Sequence, residues 1–304
     1  MNRNSLYEFV TSMESIPLGL PLIAGLDGFT DAGGSIAQTK ISIFSNLESQ
    51  EVIRFNADEL IDYRARRPVM LFEKDHITEY QQPELSIHLV QDEAGQSFLY
   101  LTGYEPDFRW ESFASAICNI VKDLEISEFL WVHSIPFPVP HTRALSVTVS
   151  GNRRDMIDRF SQWRPETHVP GNILHLLEFE LSKRNLPCTG FVLLVPHYLG
   201  DSNYPVVAIK AFELLSAATG LVFITDDLRE AETSFDNQLQ QQLSQNQELA
   251  RMVENLESGY QNSTLGLSPR VTPAAESEMP SADEIASALE DYLAAKSRNE
   301  EESD

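Results

Sequence analysis

The stretch Leu20-Pro21-Leu22-Ile23-Ala24-Gly25-Leu26-Asp27-Gly28-Phe29-Thr30-Asp31-Ala32-Gly33-Gly34-Ser35-Ile36-Ala37-Gln38-Thr39-Lys40-Ile41-Ser42-Ile43-Phe44 decides the fold. An apolar strand, Leu20 to Leu26, breaks on a turn of small and polar residues, and a helix-period segment follows. Strand, tight turn and helix start aim backbone N–H groups at the carboxyl edge of a parallel sheet. Two carboxylates, Asp27 and Asp31, lie in this turn. They oppose a bound phosphate by roughly 1 to 4 kcal/mol at 4 Å, depending on exposure. Gly33-Gly34 therefore reads first as close packing against a neighbouring strand and second as an anion site.

Working outward, strands are expected at Leu20–Leu26, Glu51–Phe55, Val69–Phe72, Leu85–Gln91, Phe98–Thr102, Phe129–His133, Val147–Val149 and Gly190–Pro196. Helices are expected at Ala32–Asn46, Trp110–Leu124, Arg153–Ser161, Asn172–Asn185 and Tyr204–Thr219. The Asp92–Gln96 loop contains a glycine and returns the chain directly, so the strands on either side of it form an antiparallel hairpin. Phe129–Val132 and Phe191–Val195 are continuously apolar, as strands covered on both faces must be. Pro136, Pro138 and Pro140 should stop the Phe129 strand. The sum is an α/β fold: a three-layer α/β/α sandwich around a mostly parallel sheet with an antiparallel hairpin and a helical C-terminal extension.

Past Gly220 the chain changes character. Leu239, Leu243, Leu249, Met252, Val253 and Leu256 recur at helical spacing in a glutamine-rich segment, which makes an amphipathic helix or helix pair. The expected division is a core domain over 1–225, an amphipathic extension over 226–260, and an acidic linker and tail over 261–304 with one short helix at 283–295.

The 304 residues carry a formal charge of −24, with 18 acidic and 5 basic side chains after residue 225. Such a surface lacks the cations that displace nucleic-acid counterions, and it equally disfavours an anionic membrane face. No run of apolar residues is long enough to span a bilayer. The first residues lack the basic-then-apolar order of a secretion signal, so a cytoplasmic location is expected. Cys118 and Cys188 lie among apolar residues and read as buried free thiols, which leaves no thiolate zinc cluster.

Polar clusters fall just beyond strand ends: Asp27 with Asp31, Glu105 to Trp110, Pro140 to Arg143, and Pro196 to Tyr198. In a functional reading His141 or His197 is a general base, an aspartate such as Asp31 orients it, and Arg143 or Arg109 binds an anion, with Asp27, Gly33, Gly34 and Asp107 as further ligand contacts. In a structural reading Asp31 caps the following helix, Asp107 and Arg109 pin a loop, and the histidines bond to backbone. The structural reading carries about three parts in four, by the rule that polar loop residues serve either purpose. Two aspartates without a third ligand make a poor magnesium site. There is no G-x-S-x-G, H-E-x-x-H, G-x-x-x-x-G-K-[ST] or close G-x-G-x-x-G.

With these clusters in place the chain resembles the proteasome assembly chaperone 2 family, in its actinobacterial branch. The matching segments are Ala24 to Gly34, Glu105 to Phe113, Pro138 to Arg143, Val169-Pro170-Gly171-Asn172, and Val195 to Tyr198 followed by Tyr204-Pro205. They occur in the family's order and, with the trailing helix, cover about residues 15 to 260. The resemblance implies a phosphorylase/hydrolase-like α/β/α core, a helical C-terminal extension and a tendency to self-associate. It also implies kinship with non-catalytic eukaryotic chaperones that pair with a partner of the same fold to assemble the proteasome α-ring. Those chaperones can use a hydrophobic-Tyr-x tail, whereas this sequence ends Glu302-Ser303-Asp304, so docking by that route is not expected.

The leading expectation is a non-enzymatic, assembly-chaperone-like interaction protein without cofactor or metal. Its expected partners are other proteins and copies of itself in a homo-oligomer, a trimer among the sizes considered. The alternative is a small-molecule binder or a hydrolase or nucleoside-phosphorylase-like enzyme using the cleft at the strand ends.

Overall fold

The computed structural model describes residues 6–164 and 166–262. In chain order the elements are β1 (Tyr7–Phe9), β2 (Leu22–Asp27), α1 (Ser35–Asn46), β3 (Ser49–Phe55), α2 (Ala57–Leu60), β4 (Met70–Glu73), β5 (His76–Tyr80), β6 (Leu85–Gln91) and β7 (Ser97–Tyr104). Then come α3 (Trp110–Asp123), β8 (Phe129–Phe137), β9 (Ser146–Gly151), α4 (Arg154–Phe160), α5 (Ile173–Ser182), β10 (Cys188–Pro196), α6 (Pro205–Thr219), α7 (Asp226–Gln245) and α8 (Gln247–Asn262).

Eight strands form one mixed, mostly parallel sheet in the order β1-β3-β6-β7-β2-β8-β10-β9. Its centre, β7-β2-β8-β10, is parallel throughout, and the flanking pairs are antiparallel. Odd and even side chains of each strand feed opposite faces. Phe129 and Trp131 join Phe113 and Ile117 of α3 and Leu177 of α5 on one face. Leu130 and Val132 join Ile43 of α1 and Val207, Ala211 and Phe212 of α6 on the other. This is the α/β/α sandwich, and each fully buried Leu, Val or Phe contributes about 1.5–3 kcal/mol to it. Cys118 and Cys188 are both buried and free.

One glycine is dictated by packing. The Trp131 indole lies across β10 at Gly190, where an added Cβ would come within 2.3 Å of the ring. The indole N–H donates to Glu178 Oε2 at 2.8 Å, and the Ser150 hydroxyl donates to the same oxygen at 2.7 Å. Burial, opposed by these two bonds, raises the Glu178 carboxyl above its ordinary value.

Several expectations are corrected. The Val69–Phe72 strand is not part of the sandwich: β4 pairs with β5, which the sequence did not flag, in a separate two-stranded sheet. That hairpin forms an arm whose residues are exposed throughout both strands. Pro136 does not stop β8, which continues to Phe137 in register with β10. The reason is local. β8 pairs with β2 only as far as Trp131 and meets the following turn once more, Ser134 against Asp31, so at Pro136 it has a neighbour on one side and no needed donor is withheld. β1 was also unforeseen, being only three residues long.

The edge strand β9 is closed. The Gln162 N–H donates to the Val147 carbonyl at 2.9 Å, and the Val149 N–H donates to the Ser161 hydroxyl at 3.0 Å. Helix α7 lies against α6, with Leu239 buried and Phe235 against the Tyr204 ring at 5.2 Å. Val253 of α8 is buried as the amphipathic pattern requires. The linker and short helix expected over 261–304 lie outside the described residues beyond Asn262.

Candidate functional site

The turn after β2 is braced rather than open. The Asp31 carboxylate accepts from the N–H groups of Ile36 and Ala37 (2.8 and 3.2 Å) and from the Ser35 hydroxyl (2.7 Å), so the positive end of α1 is filled by its own chain. Gly33 and Gly34 both have φ near +70°, and a Cβ on Gly33 would lie 2.8 Å from Val207. The Gly33 N–H donates to Gly200, and the Tyr204 N–H donates back to Gly33. Asp27 pairs with Lys40 at 3.3 Å. The two carboxylates of the turn thus have separate tasks. Among the described residues no group of three or more His, Cys, Asp or Glu is placed to hold a metal ion.

Asp107 and Arg109 grip the root of the arm. The Asp107 carboxylate accepts from the Asp62 N–H at 2.8 Å and pairs with Arg66. Arg109, at the start of α3 in the left-handed region, pairs with Glu59 of α2. The Arg66 guanidinium also lies 5.2 Å from the centre of the Tyr104 ring.

His141 and Arg143 fasten the loop between β8 and β9. The Tyr198 hydroxyl lies 2.7 Å from the His141 N–H, which donates to it, and 2.6 Å from Nδ1. One phenol oxygen thus ties both the backbone and the ring of His141, whose Nε2 is buried without a partner. Burial lowers the basicity of His141, with Asp236 and Glu257 opposing. Arg143 pairs with Glu257 of α8 at 2.7 Å and lies over the Tyr260 ring. His197 is exposed beside Tyr198. The singled-out residues are spent on loop and helix contacts: Asp107 and Arg109 at the root of the arm, and the Gly33 turn and the His141–Tyr198 loop, which meet through the Gly33–Gly200 and Gly200–His197 backbone bonds.

A cluster that sequence reasoning missed sits where β2 and β8 diverge. His133 is 5% exposed, stacked on Phe29 at 5.5 Å and edge-on to Trp131 and His175. Its Nδ1 is buried without a partner. Burial, then the neighbouring His175, holds its pKa at about 3. His175 closes a capping box with Asn172 at the start of α5, each backbone N–H donating to the other's side chain. Nearby, the Glu105 carboxylate accepts from the Ile173 N–H, and burial raises its pKa. The one available signal was a histidine inside the apolar run Phe129 to Val132 and beyond. Its neighbours come from positions 29, 131 and 175, which only the topology unites.

Comparison with known proteins follows the same lines. The sequence pattern of the PAC2 family matches residues 25–243. A protein of unknown function from Corynebacterium glutamicum is 30% identical, with a TM-score of 0.80 over 84% of this chain and 97% of its own. A Mycobacterium tuberculosis protein of unknown function is 32% identical, with a TM-score of 0.80 over 86% of this chain and 90% of its own. A proteasome-assembly chaperone homologue from M. tuberculosis shares the fold at 18% identity, with a TM-score of 0.70 over 77% of this chain and 100% of its own. No curated protein matches the sequence. The family-wide pattern runs from Gly25 in β2 into α7, and on that ground the chain belongs to the PAC2 family.

Proposed function

We propose that the chain is a non-catalytic, assembly-chaperone-like protein that works in the cytoplasm as a homo-oligomer and grips other proteins. The observation that carries this reading is the β4–β5 arm. Phe72 is 63% and Ile77 52% exposed there, with Val69, Met70, Leu71 and Tyr80 exposed alongside. A lone two-stranded hairpin is marginal in water, and apolar side chains on both of its faces call for cover by another chain. Charge permits it: Asp62 to Tyr80 holds Asp62, Glu73, Asp75 and Glu79 against Arg64, Arg66, Arg67 and Lys74, a neutral segment in a chain of −24.

Two further facts support the reading. Asp27, Asp31, Asp107, Arg109, His141 and Arg143 are each engaged in a cap, an ion pair or a loop bond. Structural relatives also include a proteasome-assembly chaperone homologue and an archaeal homologue of such a chaperone. In this reading the core over 1–225 presents the arm, and the extension over 226–260 braces the β8–β9 loop through Glu257.

Light scattering on the purified chain tests it. The wild type should elute as a defined oligomer, with a trimer as the size to compare, and Phe72→Asp with Ile77→Asp should give a folded monomer. A wild type that stays monomeric at tens of micromolar, with no protein recovered on an immobilised arm, overturns the proposal. The enzymatic alternative predicts that His141→Ala abolishes a turnover measurable with nucleosides or esters.

A further inference from the structure

The arm leaves a cleft of about 840 Å³ between its root and the sheet, within the size range of small-molecule sites. The cleft exists because α1 covers this face of the sheet only as far as Phe44, whose ring meets His88 at 4.9 Å. Beyond it the outward faces of β3 and β6 are bare, and the segments Ala65–Val69 and Tyr80–Glu84 hang over them.

Its cations are Lys40, Arg54, Arg66 and Arg67, and the first three are paired with Asp27, Glu51 and Asp107. Arg66 is fixed by Asp107 and by the Tyr104 ring, so its guanidinium is held ready rather than ordered on binding. Arg67 has no ion pair among the described residues and is the cation free to take a new partner. Tyr80 and Tyr104 supply flat apolar walls beside these cations.

We infer that this cleft binds a small organic oxyanion carried on an aromatic body. A guanidinium recognises carboxylate or phosphate through paired N–H donors, and aromatic walls hold the body of such a ligand by stacking. This site borders the strand-end clusters, sharing with them the Lys40–Asp27 and Arg66–Asp107 pairs, and it stands whether or not the arm also joins copies of the chain.

Calorimetric titration of the full chain at low salt tests the inference, with phenyl phosphate and phenylacetate as probes and with inorganic phosphate and phenol as their halves. At least one whole probe should bind, and each half should bind about tenfold more weakly or not at all. Binding by phenyl phosphate alone assigns a phosphate ligand, and binding by phenylacetate alone assigns a carboxylate. Arg67→Ala should weaken the bound probe about tenfold and Arg67→Glu should abolish binding. Arg159→Ala, an exposed arginine on α4, should change nothing. Circular dichroism melting confirms that the exposed Arg67 variants remain folded. No heat with either whole probe overturns the inference. So does equal binding of inorganic phosphate that Arg159→Ala weakens as much as Arg67→Ala, which would mean an adventitious ion only.

Discussion

His133 shows most plainly what burial does to a single side chain here. Its ring stays neutral because neither Nδ1, which lacks a partner, nor the neighbouring His175 can stabilise a positive charge. A base whose pKa falls from 6.5 to about 3 on folding adds stability that is fully present above 6.5 and is lost as pH falls through that window. The slope is at most about 1.4 kcal/mol per pH unit for this one proton. His133→Phe keeps the stack on Phe29 and removes both the orphan nitrogen and the titration. Urea unfolding should find the variant about 1 kcal/mol more stable at pH 7.5, with the gap widening at pH 5. A variant less stable than wild type at pH 5 would show that the imidazole has a partner. Nothing near His133 in the sequence announces this cluster, since Phe29 and His175 reach it only through the strand order. Asp31, in contrast, was legible as a cap, because its position before a helix-period run has one common structural use.

At the scale of elements, period and punctuation foretold most of the sandwich. The β6–β7 hairpin closes where the Asp92 loop was read, with the Asp92 carboxylate accepting from the Ala94 and Gln96 N–H groups. The α3 stripe buries Phe113, Ile117, Ile120 and Leu124 as its spacing requires. What failed was the neighbour of a strand. Val69–Phe72 has strand composition, but composition does not say whether the partner strand belongs to the main sheet. Pro136 likewise reads as a stop only if the strand has neighbours on both sides. The α1 start gives a test: Asp31→Ala should cost about 1–2 kcal/mol, the range of a lost N-cap, whereas Asp31→Asn should recover part of it. Chemical denaturation of both variants measures this, and an Ala variant as stable as wild type would mean that the cap contributes nothing. For α8, Arg143→Ala should speed amide exchange in residues 247–260 while changing global stability by less than about 1 kcal/mol, since the Glu257 pair is half exposed.

At the scale of the molecule, the body and the arm answer to different demands. The body is packed on both faces of the sheet except over β3 and β6 beside α1, and a set of bonds ties its loops and helix starts to one another. Its members include the Gly33 turn held to Gly200 and Tyr204, and the Asp107 loop held to Arg66. The arm is open on both faces and both edges. Replacing Val69–Gln81 with a short glycine-serine link should therefore leave the melting temperature of the body within a few degrees and remove the oligomer. A body that no longer melts cooperatively after the replacement would place the arm inside the folding unit instead.

The strap of Ser161 and Gln162 along β9 has a consequence for solubility. With that flank sewn shut and β1 only three residues long, the sandwich offers incoming polypeptide almost no ladder to extend. Whatever cross-β stacking this chain undergoes when overcrowded must nucleate on the arm, and a proline or lysine placed in β4 would silence it without touching the body.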